Sequence, residues 1–216
     1  MNLLFVGAHI DDIEIGCGGT VARAIKNGHA VKLLVMTQSS YSNYDGKVLR
    51  THEEAKSEGL NAIVALGAKE EDFVVLDFPN KYVPYDATTV EKLDEIINQF
   101  NPDRIFTHWA FDTHQDHKNT SLATISASRW YNNIFMYEPA APSGRSYHPF
   151  RAQMYINISC SITEKINSLK SHRSQYKKYG NLWIEAIEGR AKIRGLESYC
   201  KYAECFEIVR LEMDDF

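Results

Sequence analysis

Cysteine is scarce: four residues in 216, Cys17, Cys160, Cys200 and Cys205, with no C-x-x-C pair. So few thiols in so long a chain exclude a disulfide framework. The plain reading of each is a small buried hydrophobe. No apolar run approaches the roughly 20 residues a membrane helix needs, so no membrane span is expected. No block of Lys and Arg stands out and the net charge is −4, which argues against nucleic acid as a partner. Repeats and low-complexity tracts are absent. Met1-Asn2 leads straight into an apolar run, without the basic and apolar regions of a secretion signal, so a soluble, cytoplasmic protein is expected.

What the chain does have is apolar material, 44% of its residues, enough for one domain over residues 1–216 with a sizeable core. Strand-like runs are Leu3–Gly7, Ala30–Met36, Phe73–Phe78, Arg104–Thr107, Asn133–Tyr137, Gln153–Ile158 and Phe206–Leu211. Helix-like runs are Gly18–Asn27, His52–Leu66, Thr88–Phe100, Asn119–Trp130, Thr163–Tyr176 and Asn181–Tyr199. Asp86 with Thr88, and Ser161 with Glu164, read as helix starts; Gly28 and Gly67 read as stops. The alternation predicts an α/β fold with a mainly parallel sheet and helices on both faces. Residues 137–150 read as a loop that walls or covers a pocket. The aromatic run Trp130–Tyr137 reads either as core or as an interface in a homo-oligomer.

Chemistry concentrates at two strand ends, where open α/β sheets bind ligands. The first strand stops at Ala8-His9-Ile10-Asp11-Asp12, followed by Gly16, Gly18 and Gly19. The fourth is followed by Asp112-Thr113-His114-Gln115-Asp116-His117. His9 and Asp12 are three apart across a turn, with Asp11 nearby; His114 and His117 are likewise three apart. Two His and one carboxylate on a divalent ion leave an open position, as catalytic zinc sites require. Zinc lowers the pKa of its bound water to about 7, and a carboxylate beside that water can take its proton and return it to a leaving group. Each cluster also has a plain reading, Asp12 as a helix cap and either His as hydrogen-bonded structure. Gly16-Cys17-Gly18-Gly19 admits a phosphate cradle at a helix N-terminus, although the spacing is not G-x-G-x-x-G. Cys17 as a nucleophile would need a base held beside it.

The run Ala8-His9-Ile10-Asp11-Asp12-Ile13-Glu14-Ile15-Gly16-Cys17-Gly18-Gly19-Thr20 resembles the A-H-P-D-D-x-E-x-G-x-G-G-T signature of the PIG-L/LmbE-like N-acetylglucosaminyl deacetylases. Asp112 to His117 resembles their D-x-H-x-D-H. His172-Arg173-Ser174-Gln175, Arg190 to Gly195 and Tyr202 to Phe206 are similar to their H-x-S-Q, R-x-x-R-G and Y-A-E-x-F segments, so the resemblance runs along nearly the whole chain. It implies a Rossmann-like fold and zinc-dependent removal of the acetyl group from an N-acetylated amino sugar or its conjugate, with Fe2+ or Mn2+ as alternative ions. By the resemblance His9, Asp12 and His117 bind the metal. Asp11 is general base and then acid, cationic His114 stabilises the oxyanion, and Asp116 holds His114. Ile10 stands where the family has proline, which predicts a different turn and no lost ligand.

Substrate recognition is expected from two loops, Ser39–Asp45 and Tyr137–Tyr147, with Tyr137 and Arg145 as candidates. Arg50 is a further one, since the family often carries a substrate-binding Arg on the second helix. His29, His52, His148 and His172 read as structural or surface, and His108 as a neighbour of the second cluster. Two other classes of function fit parts of the pattern. His9-Ile10-Asp11 with His117 satisfies the facial triad of a non-haem iron oxygenase, and a non-catalytic sugar- or metal-binding module would keep the ligands. Asp11 and His114, neither needed merely to bind an ion, speak against the module.

Overall fold

The computed structural model describes residues 1–213. Leu3 to Val6 are all buried, and their side chains alternate between two cores: Leu3 and Phe5 join one, Leu4 and Val6 the other. Such a strand is covered on both faces and reads as a continuous apolar run. It is β1 (Asn2–Gly7), the centre of a seven-stranded sheet.

The chain continues through α1 (Asp12–Lys26), β2 (Ala30–Thr37), the short strands β3 (Tyr41–Ser42) and β4 (Val48–Arg50), and α2 (His52–Leu66). Next come β5 (Phe73–Phe78), α3 (Ala87–Phe100), β6 (Arg104–Thr107), α4 (Gln115–Ala127) and β7 (Ile134–Tyr137). The last part is β8 (Met154–Asn157), α5 (Ile162–Ser171), α6 (Arg173–Tyr179), α7 (Asn181–Glu197) and β9 (Ala203–Arg210). Sheet order is β5-β2-β1-β6-β7-β9-β8. The first five strands in that order pair in parallel; β9 joins β7 and β8 antiparallel. The order reverses at β1, between β2 and β6, and that is the crevice where a doubly wound sheet binds its ligand. The α/β, mainly parallel, helix-covered fold expected from the sequence is the one observed.

Five local expectations are corrected. The first helix starts at Asp12, not Gly18, and is kinked at Cys17 (φ −146°, ψ 20°). A Cβ on Gly16 would collide with the Tyr137 ring, and one on Gly19 would lie 2.6 Å from Ile158, so both glycines serve close packing. The kink is no phosphate cradle. The Glu204 carboxylate accepts from Gly19 N–H (2.9 Å), Thr20 N–H (2.7 Å) and Thr20 Oγ1 (2.6 Å), and pairs with buried Lys165. The Ser39–Asp45 loop contains β3, which pairs antiparallel with β4. The fourth helix begins at Gln115 rather than Asn119, placing Asp116 and His117 in its first turn. The run Thr163–Tyr176 breaks at His172 (φ −78°, ψ 70°) into α5 and α6.

No described helix is long and apolar enough to cross a membrane. All four cysteines are unpaired. Burial pushes the Cys17 thiol well up, which removes it as a nucleophile at neutral pH.

Candidate metal centre

The turn after β1 is held from several sides. His9 N–H donates to Asp12 Oδ2 (2.6 Å), Ile10 N–H to Ser39 Oγ (2.8 Å), and the Arg50 guanidinium to the Ile10 carbonyl. Ile10 thus uses an N–H that proline would lack, and its buried side chain packs toward Gly59. Asp11 sits at φ 145°, a conformation L-residues rarely adopt, at the N-terminal boundary of α1. Such a geometry costs of order 1–3 kcal/mol and persists only where its surroundings over-determine it.

Opposite this turn, beyond β6, His114 precedes α4 and His117 lies in its first turn. The two strand ends converge. His9 Nδ1 lies 3.2 Å from His117 Nε2 and 3.3 Å from Asp12 Oδ2; His117 Nε2 is 3.5 Å from Asp12 Oδ1. Ligand atoms of His9, His114 and His117 cluster within 4.8 Å of one another, and so do those of Asp12, His108 and His117. His9, Asp12 and His117 touch pairwise, the two rings meeting different oxygens of Asp12. Asp11 forms no ion pair with either ring; it lines a cleft of about 270 Å³ together with His9 and His114.

Two residues differ from the sequence-based roles, and two others, Asp112 and the expected neighbour His108, support the cluster. Asp116 does not hold His114. Its Oδ2 lies 3.0 Å from His9 Nε2 and also accepts from Lys81 N–H, while Oδ1 accepts from Val83 N–H. The physical reason is direction: Asp116 points from α4 into the loop after β5, whereas the His114 ring folds back to accept the backbone N–H of Asp116 (3.2 Å). Second, burial and neighbouring His117 lower the pKa of His114 below the ordinary imidazole range, a shift that disfavours the cationic form the resemblance implied. With Nδ1 accepting, its proton resides on Nε2. Third, Asp112 orients His117, its Oδ2 lying 3.1 Å from Nδ1. Fourth, His108 is buried beneath the cluster, stacked on His117 at 4.1 Å between ring centroids. Its Nε2 lies 2.9 Å from Ala8 N–H and 3.0 Å from Asp12 Oδ2, and a single tautomer serves one of these. Burial and His117 bring its pKa down to about 4. Its place directly after the strand-like run Arg104–Thr107 was the signal for it in the sequence.

The charges are arranged unequally. Burial alone would raise Asp12, but His117, His108 and His9 outweigh it and hold the carboxylate well below its usual range. Burial and the adjacent Asp12 push Asp11 up to about 6. Burial opposes protonation of His9, yet Asp12 and Asp116 overcome it and push the ring up to about 10. Two neighbouring carboxylates driven apart in this way is how acid/base roles are divided in one site.

Of the three substrate candidates, only Arg50 lines the cleft. Tyr137 is buried, its hydroxyl donating to the Val6 carbonyl. Arg145 is exposed and does not line the cleft. The Arg50 Nη atoms are held by the Ile10 carbonyl and by Glu58 at 3.0 Å, while its Nε has no partner among the described residues. Ser39, Tyr41 and Ser42 of the expected Ser39–Asp45 loop do face the cleft, together with Asn80, Lys81, Gln175, Lys178 and Tyr179, which the sequence did not single out as substrate contacts. The loop after β7 straps the second motif: the Ser143 carbonyl accepts from Thr113, and Ser143 Oγ donates to Asp112.

Comparison with known proteins agrees with the motif reading. The GlcNAc-PI de-N-acetylase (PIG-L) family model matches residues 4–128. The uncharacterized deacetylase YaiS of Escherichia coli K12 is 32% identical over 180 residues, 80% of this chain and 91% of that one. The diacetylchitobiose deacetylase of Thermococcus kodakarensis is 25% identical over 227 residues, 96% of this chain and 83% of that one. The chain belongs to the PIG-L family. The 4-carboxy-2-hydroxymuconate hydratase GalB of Pseudomonas putida superposes with a TM-score of 0.82 at 17% identity, covering 100% of this chain and 98% of that one. That likeness is one of fold alone, and a fold by itself does not name a reaction.

Proposed function

We propose that this protein is a metal-dependent hydrolase that removes the acetyl group from an N-acetylated amino sugar or its conjugate. The observation that carries the reading is the contact triangle of His9, Asp12 and His117, with Asp11 beside it facing the cleft. The donor set fits a divalent ion: two imidazoles and one ionised carboxylate at the mouth of a cleft, with zinc as the first choice and Fe2+ or Mn2+ as alternatives. Such an ion lowers the pKa of water to about 7 and polarises the acetyl carbonyl.

The chain's own residues supply the remaining work. Asp112 and Asp116 fix the rings of His117 and His9 and set which ring nitrogen faces the centre. Asp11, raised toward neutrality by burial and Asp12, takes a proton from the attacking water and delivers it to the departing amine nitrogen. Neutral His114 donates from Nε2 to the oxygen on which charge develops. One such donor is worth about 3–4 kcal/mol in comparable sites. Tyr41 and Tyr179 offer aromatic faces to a pyranose. Four unpaired thiols support action in a reducing compartment such as the cytoplasm.

The test is primary-amine release from a panel of N-acetyl sugars by zinc-, iron- and manganese-loaded protein. A parallel assay measures hydration of 4-carboxy-2-hydroxymuconate, the reaction named for the hydratase that shares the fold. Amine release that disappears in Asp11→Asn supports the proposal. Hydration without amine release sinks it.

A further inference from the structure

Helix α7 carries apolar residues on two opposite faces. Ile184, Ala191 and Gly195 are buried against the body of the protein. On the outer face Leu182, Ala186, Gly189, Ile193 and Leu196 recur in steps of four and three, the spacing of a helix–helix seam. Three of them are large and open to solvent: Leu182 is 74% exposed, Ile193 60% and Leu196 79%.

The two inner-helix glycines differ instructively. A Cβ on Gly195 would meet the Cys200 and Lys201 carbonyl oxygens at 2.7 Å, so the fold requires glycine there. A Cβ on Gly189 would meet nothing within 4 Å. Glycine in mid-helix weakens a helix relative to alanine, and nothing among the described residues requires it at 189. A second backbone approaching from outside would.

We propose that α7 docks on α7 of a second copy of this chain, antiparallel, with the two helices crossing at Gly189. The outer stripe is close to palindromic about that residue. Crossing there sets Leu182 opposite the partner's Leu196 and Ala186 opposite the partner's Ile193. Side-chain size rises from glycine at the centre to leucine at both ends, the profile that two helices need as they diverge from a crossing point. Charge agrees with direction. Glu185 and Lys192 flank the stripe on one side, about one turn and about three turns from its start. An antiparallel pair puts Glu185 beside the partner's Lys192, twice by symmetry; a parallel pair would place the equivalent flanks on opposite sides of the seam and leave both charges without each other. Glu185 forms no ion pair among the described residues, and Lys192, paired with Glu188 in the same helix, remains 57% exposed. Tyr199, fully exposed just beyond the helix, extends the surface. A single helix pair is small beside a standard interface, so association in the micromolar range is expected.

Sedimentation velocity of the full chain at rising concentration tests this. The expected result is a monomer–dimer equilibrium whose Kd rises about tenfold or more in Ile193→Glu, with unchanged melting temperature and unchanged amine release. Glu185→Lys and Lys192→Glu should each weaken self-association, while an equal mixture of the two variants restores a dimer. A chain that stays monomeric throughout overturns the proposal, as does a dimer indifferent to Ile193→Glu. Failure of the mixed variants to pair overturns the antiparallel register.

Discussion

Two buried carboxylates sit near the start of α1, and their surroundings differ. Glu204 is satisfied: two backbone N–H groups, one hydroxyl and one ammonium surround its two oxygens. Asp12 is crowded: three imidazoles converge on it, and two ring nitrogens stand 3.2 Å apart. Buried polar groups in native proteins are normally fully partnered. The saturated network therefore reads as structure. The crowded one, whose rings compete for the same oxygens, reads as a set of donors for an ion.

That contrast predicts separable failures. Asp11→Asn should lower turnover about 10²–10⁴-fold, the range for a lost general acid/base, while metal content stays at the wild-type level; steady-state kinetics with elemental analysis checks both. Lys165→Met strands the Glu204 charge and should cost about 3–5 kcal/mol of stability, read by urea unfolding, with metal content per folded chain unchanged. Were Lys165→Met to strip metal first, the two networks would not be independent. Asp112→Asn should weaken metal affinity about 10–100-fold by freeing the His117 ring, measured by competition with a chelator.

The smallest expected effect is a slope. His172 is fully buried and faces Glu14 at 3.2 Å, off line for a hydrogen bond. Burial opposes its protonation, but Glu14 outweighs it and raises the ring above 6.5. A raised folded pKa means that the native state holds the proton more tightly. The stabilisation is full below about pH 6.5 and fades as pH rises through the folded value. His172→Gln should flatten the pH dependence of the unfolding midpoint on the alkaline side. An unchanged slope would mean that His172 is neutral.

Legibility in the sequence followed the range of the interactions. β1, β2 and β5 to β7 announced themselves through apolar runs, because strands covered on both faces need them. His9, Asp12 and His117 announced themselves through tight local spacing at strand ends. What stayed hidden depends on distant partners. Asp116 reaches His9 because α4 starts early and the β5–α3 loop donates to it. Arg50 is spent on holding a turn forty residues away in sequence. The β3–β4 hairpin was masked by its polar, Tyr- and Ser-rich composition. Tyr137 looked like a ligand-facing aromatic and instead packs on Gly16, a contact visible only in three dimensions.

The central claim is that the crowded carboxylate and its rings hold a catalytic ion. Elemental analysis after zinc loading and desalting tests it most directly. About one equivalent per chain is expected in the wild type and in Asp11→Asn, with loss in Asp12→Ala and His117→Ala that still fold. Full retention of metal by both Asp12→Ala and His117→Ala, or no retention by the wild type, would contradict it.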